Sequence, residues 1–456
     1  MKRREFLFGA AGSLLLALGA CARRKWSAED TRFAVLQDAA ARSDIDVCII
    51  GSGPAGSALA IDLLSAGKRV VILESGSAHA DTVGMARAQK LDAYETFGLD
   101  YPLADTRVRA VGGTTAVWTG RTPRMLPGDF EPHPLTPPDN PWPFGYEDLK
   151  PYYRRAEQTL HVVGSPMGAG RAPRDRDLPG PPLVDISEMR ILARRAGLTV
   201  DFPPFAQRPD PAGKEPIRFA RDVLPALSRH RDLALVPGAT AVGFDIGSSG
   251  RVTSVHAKTY SGIEHEVRAR AFVIACGAVE TTRLLLRSRT PAFPNGLGNG
   301  GDRVGRHFME HPYREFAARV PGSTFSRWQV GRTYEHCAPL RAAGSGGISL
   351  ALYGRPKGDD EITIKLGIEM RPDAANRIVL SDRVTDRFGD AGAALHMRFT
   401  DDEERLWERG DAIVRSLFAK LGSGGITAGN TVGWPHHHLG GARTGKDRAT
   451  SVVDPE

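Results

Sequence analysis

The pattern of apolar and polar positions is sharpest between Asp44 and Gly76. Asp46–Ile50 (DVCII) is an almost unbroken apolar run, the pattern of a strand buried on both faces. Glycines follow at 51, 53 and 56, and then Ala58, Leu59, Ile61, Leu63 and Leu64 recur at helical spacing as far as Gly67, a helix stop. Arg69–Leu73 reads as a second strand closed by Glu74. Further on, "LALVPGATAVGFD" and "GRVTSVHAKT" alternate as β-strands do, and Ala271–Ala275 runs through a glycine turn into an amphipathic helix. "EITIKLGIEM" and "AALHMRFT" predict strands of an antiparallel sheet, and "DDEERLWERGDAIVRSLFAKLGSG" predicts a helix ended by Gly422.

Strand, Gly51-x-Gly53-x-x-Gly56, helix, strand and acid fall in the order of a Rossmann-type dinucleotide-binding unit. Gly51 serves the tight turn, Gly53 close approach to a pyrophosphate, and Gly56 close packing of helix on strand, with the pyrophosphate at the positive helix end. Glu74, 23 residues after Gly51, stands where an acid binds a ribose hydroxyl, and no arginine beside it in the chain favours a 2′-phosphate. The unit leaves FAD and NAD both open. About forty residues later, Gly112-Gly113-Thr114-Thr115 form a polar loop in which paired glycines admit a flat ligand and threonines add hydroxyls.

Composition narrows the class. A chain of 456 residues suggests two domains, and 41% hydrophobic with 25% charged residues excludes disordered, collagen-like and multi-span membrane proteins. The net charge of +7 comes without recurring basic blocks, which gives nucleic-acid binding little support. Cys21, Cys48, Cys276 and Cys337 form no metal-ligand spacing, and Cys48 and Cys276 sit in apolar runs as small core residues. "MKRREFLFGAAGSLLLALGAC" reads as a signal peptide over 1–21: Arg3-Arg4 resembles a twin-arginine signal and Leu18–Cys21 a lipoprotein box, so export to the periplasm, with a possible lipid anchor, is expected.

Taken in order, "VGGTTAVWTG", "NPWPFGYEDLKPYYRRAEQTLHVVG", "VIACGAVETTRLLL", "GLGNGGDRVGRHFMEHP", "NRIVLSDRVTDRFG" and "HHLGGARTG", together with the glycine fingerprint, resemble the glucose-methanol-choline (GMC) oxidoreductases, and within them the bacterial exported dehydrogenases of sugars, sugar alcohols and sugar acids. The resemblance implies an α/β fold with a Rossmann-type FAD-binding domain and a second α+β substrate domain on an antiparallel sheet. It implies FAD contacts at Gly51, Gly53, Gly56, Glu74, Gly112, Gly113, Thr114, Thr115, Ala241 and Gly277. Some relatives attach FAD through a histidine at the position of Val117, so FAD is expected to be non-covalent here. The domains expected are a tether over 22–43, the FAD domain from 44–165, 220–312 and 430–456, and the substrate domain from 166–219 and 313–429.

Flavin-dependent oxidation of an alcohol requires hydride loss to flavin N5 and a base for the hydroxyl proton, a task that suits histidine. The family's catalytic turn maps onto His437-His438-Leu439-Gly440-Gly441, which makes His437 the expected base and His438 its understudy. The alternatives are an exposed histidine-rich loop or a metal site, but no second ligand cluster is visible, so no metal is assigned. The resemblance further implies a sugar, polyol or other alcohol as substrate and a quinone or cytochrome-type electron acceptor. An oxygen-using oxidase, or a lipid-anchored remnant without turnover, are the other readings. Relatives continue past "SVVDP" with a strand, a loop and a helix carrying a second catalytic residue, so a C-terminally truncated member is expected.

Overall fold

The structure is a computed structural model that describes residues 30–78, 94–132, 141–164, 172, 174, 178, 184–208, 215–356, 360–429 and 431–455. The signal pattern at 1–21 and the start of the expected tether lie outside the described residues. The chain divides into two compact units. The first comprises residues 1–119, 208–306 and 377–396, and the second 120–207, 307–376 and 397–456. By this division 430–456, assigned from sequence to the FAD domain, groups with the second unit, as does 120–165.

The first unit is built on a parallel sheet in the order Ala271–Ile274, Val47–Ile50, Val70–Glu74, Leu233–Pro237. Val47 pairs with both Val70 and Ala271, and Ile50 with both Leu73 and Ile274. The apolar runs read from the sequence are thus the two central strands, and Cys48, Ile49 and Val70–Leu73 are fully enclosed. Helix Pro54–Ser65 starts directly after the glycine turn with proline in its first turn, where a missing N–H costs nothing. Its Ala60, Ile61 and Leu64 are buried.

The strands Thr240–Ile246, Val252–Lys258 and Glu264–Arg268 form an antiparallel sheet whose Phe244, Val255, Ala257 and Val267 share a core with Val71, Leu73 and Val236. Leu36 and Ala39, on the short helix Leu36–Ala40, join the same core, and the Ala34 N–H donates to the Leu235 carbonyl at 2.8 Å. The described part of the expected tether is therefore docked, because its apolar residues fall three apart on one helix face. "AALHMRFT" also differs from expectation: Ala391–Met397 pairs with Arg377–Thr385 in a separate three-stranded sheet with Tyr94–Gly98, not with Glu361–Ile368. Alternation predicts a strand and one buried face, but it carries no information about the partner.

The second unit is an antiparallel sheet in the order Gln329–Thr333, Ile348–Gly354, Glu361–Ile368, Tyr313–Arg319, Ile426–Ala428. Ile362, Ile364, Leu366 and Ile368 alternate inward. Helix Asp401–Lys420 covers that face with Leu406, Trp407, Val414, Leu417 and Phe418. Each such side chain, fully buried, contributes about 1.5–3 kcal/mol. Gly410 lets the helix come close, since a Cβ there would stand 2.6 Å from Leu366 Cδ2.

The helix begins at a capping box in which Thr400 accepts from the Asp402 N–H at 3.3 Å and the Glu403 carboxylate accepts from the Thr400 N–H at 2.7 Å. It ends as the sequence predicts: Gly422 donates to the Ala419 carbonyl at 3.0 Å and Ser423 to the Phe418 carbonyl at 3.0 Å, the paired closure of a left-handed glycine cap. The opposite sheet face is polar. Register places Arg332 across from Ala351, Ala351 across from Lys365, and Lys365 across from Glu315, all on that one face.

Candidate active site

Two constellations, one in each unit, hold the residues singled out by the sequence. In the first unit the turn after Val47–Ile50 leads into helix Pro54–Ser65, with Gly53 as its N-cap. A Cβ at Gly51 would stand 2.5 Å from the Ala275 carbonyl oxygen, and one at Gly56 would overlap the Gly51 carbonyl. Gly113, at φ +59°, packs against Gly53, and a Cβ on it would sit 2.9 Å from Gly53 Cα. The two glycine-rich loops therefore meet backbone to backbone beside a helix N-terminus, an arrangement that admits a pyrophosphate and would be filled by any side chain.

Glu74 is buried, and its carboxylate accepts from the Ser52 N–H at 3.0 Å, the Ser52 hydroxyl at 2.7 Å and the Gly76 N–H at 2.7 Å. The Ser52 oxygen in turn accepts from the Gly112 N–H at 3.0 Å. Ser52, the x of G-x-G, thus ties both loops to the acid, a role that spacing alone does not reveal. Thr114 is exposed, whereas Thr115 is buried and its hydroxyl donates to the Gly112 carbonyl at 2.6 Å. The loop is further pinned by Trp118 Nε1 donating to the Ile217 carbonyl at 2.8 Å and Arg218 to the Trp118 carbonyl at 2.9 Å. Gly277, at φ +73°, opens helix Gly277–Arg287 and faces open space, and half-buried Ala241 pairs with Ala257 in the neighbouring antiparallel sheet.

Sequence reading missed an ionic cluster beside this cradle. Glu280, in the first turn of helix Gly277–Arg287, lies 3.2 Å from Arg107, 3.4 Å from Arg109 and 3.4 Å from Arg283. Burial works to raise its pKa, but the charges of Arg109, Arg107 and Arg283 outweigh it and hold the carboxyl at about 2. Arg109 also donates to the Ser75 hydroxyl at 3.2 Å, so an arginine does come next to Glu74 in space. Arg109 shares Glu280 with Arg107, while Arg283 is also paired with Asp386.

In the second unit the closing segment runs antiparallel to 309–313. Met309 and Leu439 exchange backbone hydrogen bonds at 3.1 Å each, and Tyr313 and Gly433 do so at 3.0 and 2.8 Å. Between these bridges the Glu310 carboxylate, itself buried, accepts from the His437 N–H at 2.6 Å and the His311 N–H at 2.8 Å. Gly440, at φ +84°, closes the turn where a Cβ would overlap the His307 carbonyl.

The rings of His437 and His311 meet edge to face, 5.5 Å apart at 72°, and both residues are exposed. His438 points elsewhere, with its ring 5.6 Å from Phe308. Protein packed around His437 and the positive fields of His311, Arg332, His436 and Arg121 lower its pKa to about 4. The ring is therefore neutral at pH 7. His311 is lowered too, by its packed surroundings first and by Arg332, against the opposing charges of Glu369 and Asp129. Among the described residues, no group of three or more His, Cys, Asp or Glu is arranged to hold a metal ion.

Comparisons with known proteins agree with this geometry. A family model described as an FAD binding domain matches residues 44–155. Over 90% of this chain and 83% of its own length, the 6'''-hydroxyparomomycin C oxidase of Streptomyces lividus is 28% identical. The fructose dehydrogenase large subunit of Gluconobacter japonicus is 26% identical over 90% of each chain. In fold, a solved formate oxidase from Aspergillus oryzae superposes with a TM-score of 0.59 at 16% identity, covering 90% of each chain. The protein is thus an FAD-binding oxidoreductase with a mixed α/β fold that includes antiparallel sheets. These similarities agree with the resemblance to the GMC oxidoreductases read from the sequence.

Proposed function

We propose that this chain is an FAD-dependent dehydrogenase that oxidises a CH–OH group of a sugar, polyol or other alcohol, with His437 as general base. The observation that carries the reading is the His437 turn: a solvent-accessible, neutral imidazole whose backbone is clamped by Glu310 and closed by Gly440. The relatives named as a hydroxyparomomycin oxidase and a fructose dehydrogenase support a polyhydroxylated substrate.

FAD, held by the Gly51–Gly56 turn, Glu74 and the Gly112–Thr115 loop, supplies when bound an acceptor for the hydride of the carbinol carbon. The chain's own work is to take the hydroxyl proton. Neutral His437 accepts it and releases it to the water its ring already faces. His311, edge-on to His437, fixes the plane of that ring, and Glu310 fixes the backbone of both histidines. His438, stacked toward Phe308, supports the turn and becomes the base only if His437 is displaced. With Val117 in place of an attaching histidine, the flavin is held non-covalently, and electrons leave to a quinone or cytochrome-type acceptor after export directed by residues 1–21.

The test starts with the visible spectrum of the purified protein and of the supernatant after acid precipitation, where non-covalent flavin is released. Anaerobic mixing with sugars and polyols then follows reduction of bound flavin. His437→Ala is expected to slow reduction about 100-fold or more. Unchanged reduction refutes the assigned base, and turnover with oxygen as fast as with a dye acceptor refutes a dehydrogenase.

A further inference from the structure

The antiparallel sheet of the first unit carries a histidine held by acids on both sides. His256 stands in strand Val252–Lys258 between Val255 and Ala257, which face the core, so its own side chain lies on the opposite, polar face. Its ring Nε2 lies 2.7 Å from Asp245 Oδ2 on strand Thr240–Ile246, and its Nδ1 lies 3.0 Å from Glu264 Oε1 on strand Glu264–Arg268. Asp245 Oδ2 also accepts from the Ser254 hydroxyl at 2.6 Å. A neutral imidazole donates from one nitrogen only and would set the lone pair of the other against a carboxylate. Only the imidazolium donates to both acids. Packing works to lower the pKa of His256, but Asp245 and Glu264 outweigh it and raise the value.

The other charges on this face keep their state around neutrality. Glu266 stands directly across from His256, and Arg268 pairs with Glu266 at 2.9 Å. Lys258 reaches Glu264 at 3.9 Å and Asp390 at 3.6 Å, and Asp390 holds Arg287 at 2.6 Å. Carboxylates ordinarily titrate below about 5 and lysine or arginine above about 10, so in between only His256 changes its charge here. His265, across from Ala257, belongs to the other face, where helix Leu36–Ala40 packs. This network meets the FAD cradle at two places. Where strand Thr240–Ile246 begins, the Ala239 N–H donates to the Glu74 carbonyl at 2.8 Å, and the Thr240 and Ser75 hydroxyls lie 2.8 Å apart. Arg287 ends the helix whose first turn carries Glu280.

We propose that His256 is a proton-operated clasp on the cofactor domain: charged, it ties the three strands together through Asp245 and Glu264, and neutral, it releases one of them and loosens the hold on FAD. The charged form is the one the fold favours, so the clasp is complete below the ordinary histidine value of 6.5 and is lost as pH climbs through the higher value of the folded protein. Strand Thr240–Ile246 carries the effect, because it bears Asp245 near one end and is tied to Glu74 and Ser75 at the other. Acid therefore slows cofactor loss and alkali speeds it.

The test uses the purified full chain with FAD bound, beside His256→Gln, which cannot be charged, and His256→Arg, which always is. Thermal unfolding is followed from about pH 5.5 to about pH 8.5, a window that brackets histidine. Wild type is expected to melt roughly 2–4 °C above His256→Gln at the acid end, with the gap closing toward the alkaline end, while His256→Arg keeps its advantage throughout. Flavin released on dilution, read by its fluorescence, is expected to quicken with rising pH about 5-fold more in wild type than in His256→Arg. A gap between wild type and His256→Gln that stays constant with pH overturns the clasp. Should His256→Gln fail to fold, wild type against His256→Arg reads the same pH dependence, and parallel melting curves overturn it equally. Flavin release that is no more pH-dependent in wild type than in His256→Arg overturns the link to the cofactor.

Discussion

Replacing Glu280 with Gln keeps the shape of the residue and removes one charge from among three guanidiniums. Burial alone would push the Glu280 carboxyl up, yet Arg109, Arg107 and Arg283 bring it from an ordinary 4.5 to about 2. At about 1.4 kcal/mol per pH unit, that preference for the charged form is worth about 3 kcal/mol to the first unit, and somewhat less with the carboxylate 22% exposed. Arg283 keeps Asp386 at 2.5 Å, so the loss falls on Arg107 and Arg109. Glu280→Gln should therefore cost about 2–3 kcal/mol at pH 7, or roughly 5–10 °C for a cooperative unit of ordinary domain size. Because the folded value is depressed, the contribution is complete above pH 4.5 and is lost as pH falls from there toward 2. Urea unfolding of wild type and variant, followed by circular dichroism, measures the gap directly. A gap under about 0.5 kcal/mol at pH 7, or one that stays constant between pH 6 and 3, would refute the balance of charges assigned here.

Two further outcomes follow from the two constellations. Gly113→Ala forces a Cβ to 2.9 Å from Gly53 Cα at φ +59°, so the variant should fold yet retain far less FAD after gel filtration; full retention would show that the loops do not form the cradle. Since His437 must be neutral to accept a proton, kcat/KM with a neutral polyol should hold as pH falls below 6.5 and decline only toward about 4, which a pH profile in dye-coupled assays would reveal; an acid limb at 6.5 or above contradicts the cationic surroundings.

The elements whose identity depends on local spacing are the ones legible in the chain. The apolar runs of the two central strands, the glycine turn between them and the capped helix Asp401–Lys420 all appear where periodicity predicts them. In each, burial on both faces or on one stripe is written within a few consecutive residues. The strand Ala391–Met397 was legible as a strand but not in its sheet, because pairing joins segments whose spacing in the chain carries no signal. The same division runs through the candidate site. His437 and the glycines belong to a contiguous motif, whereas Ser52 acts through a hydrogen bond to an acid 22 residues away and Glu310 reaches across 127 residues.

Arg332 marks where a usable signal does exist. Once Ile362, Ile364 and Leu366 are assigned inward by alternation, Thr363 and Lys365 must face the other way, and the same phase holds for Ala351 and Tyr353 on the next strand. Adding one further register, Arg332 against Ala351, puts a guanidinium on that face with no acid opposite it. A cation on the polar face of a strand is ordinary when a carboxylate sits across from it, as Glu315 does from Lys365. Composition counts Arg332 as one basic residue among 60, whereas register places it on the polar face opposite Ala351.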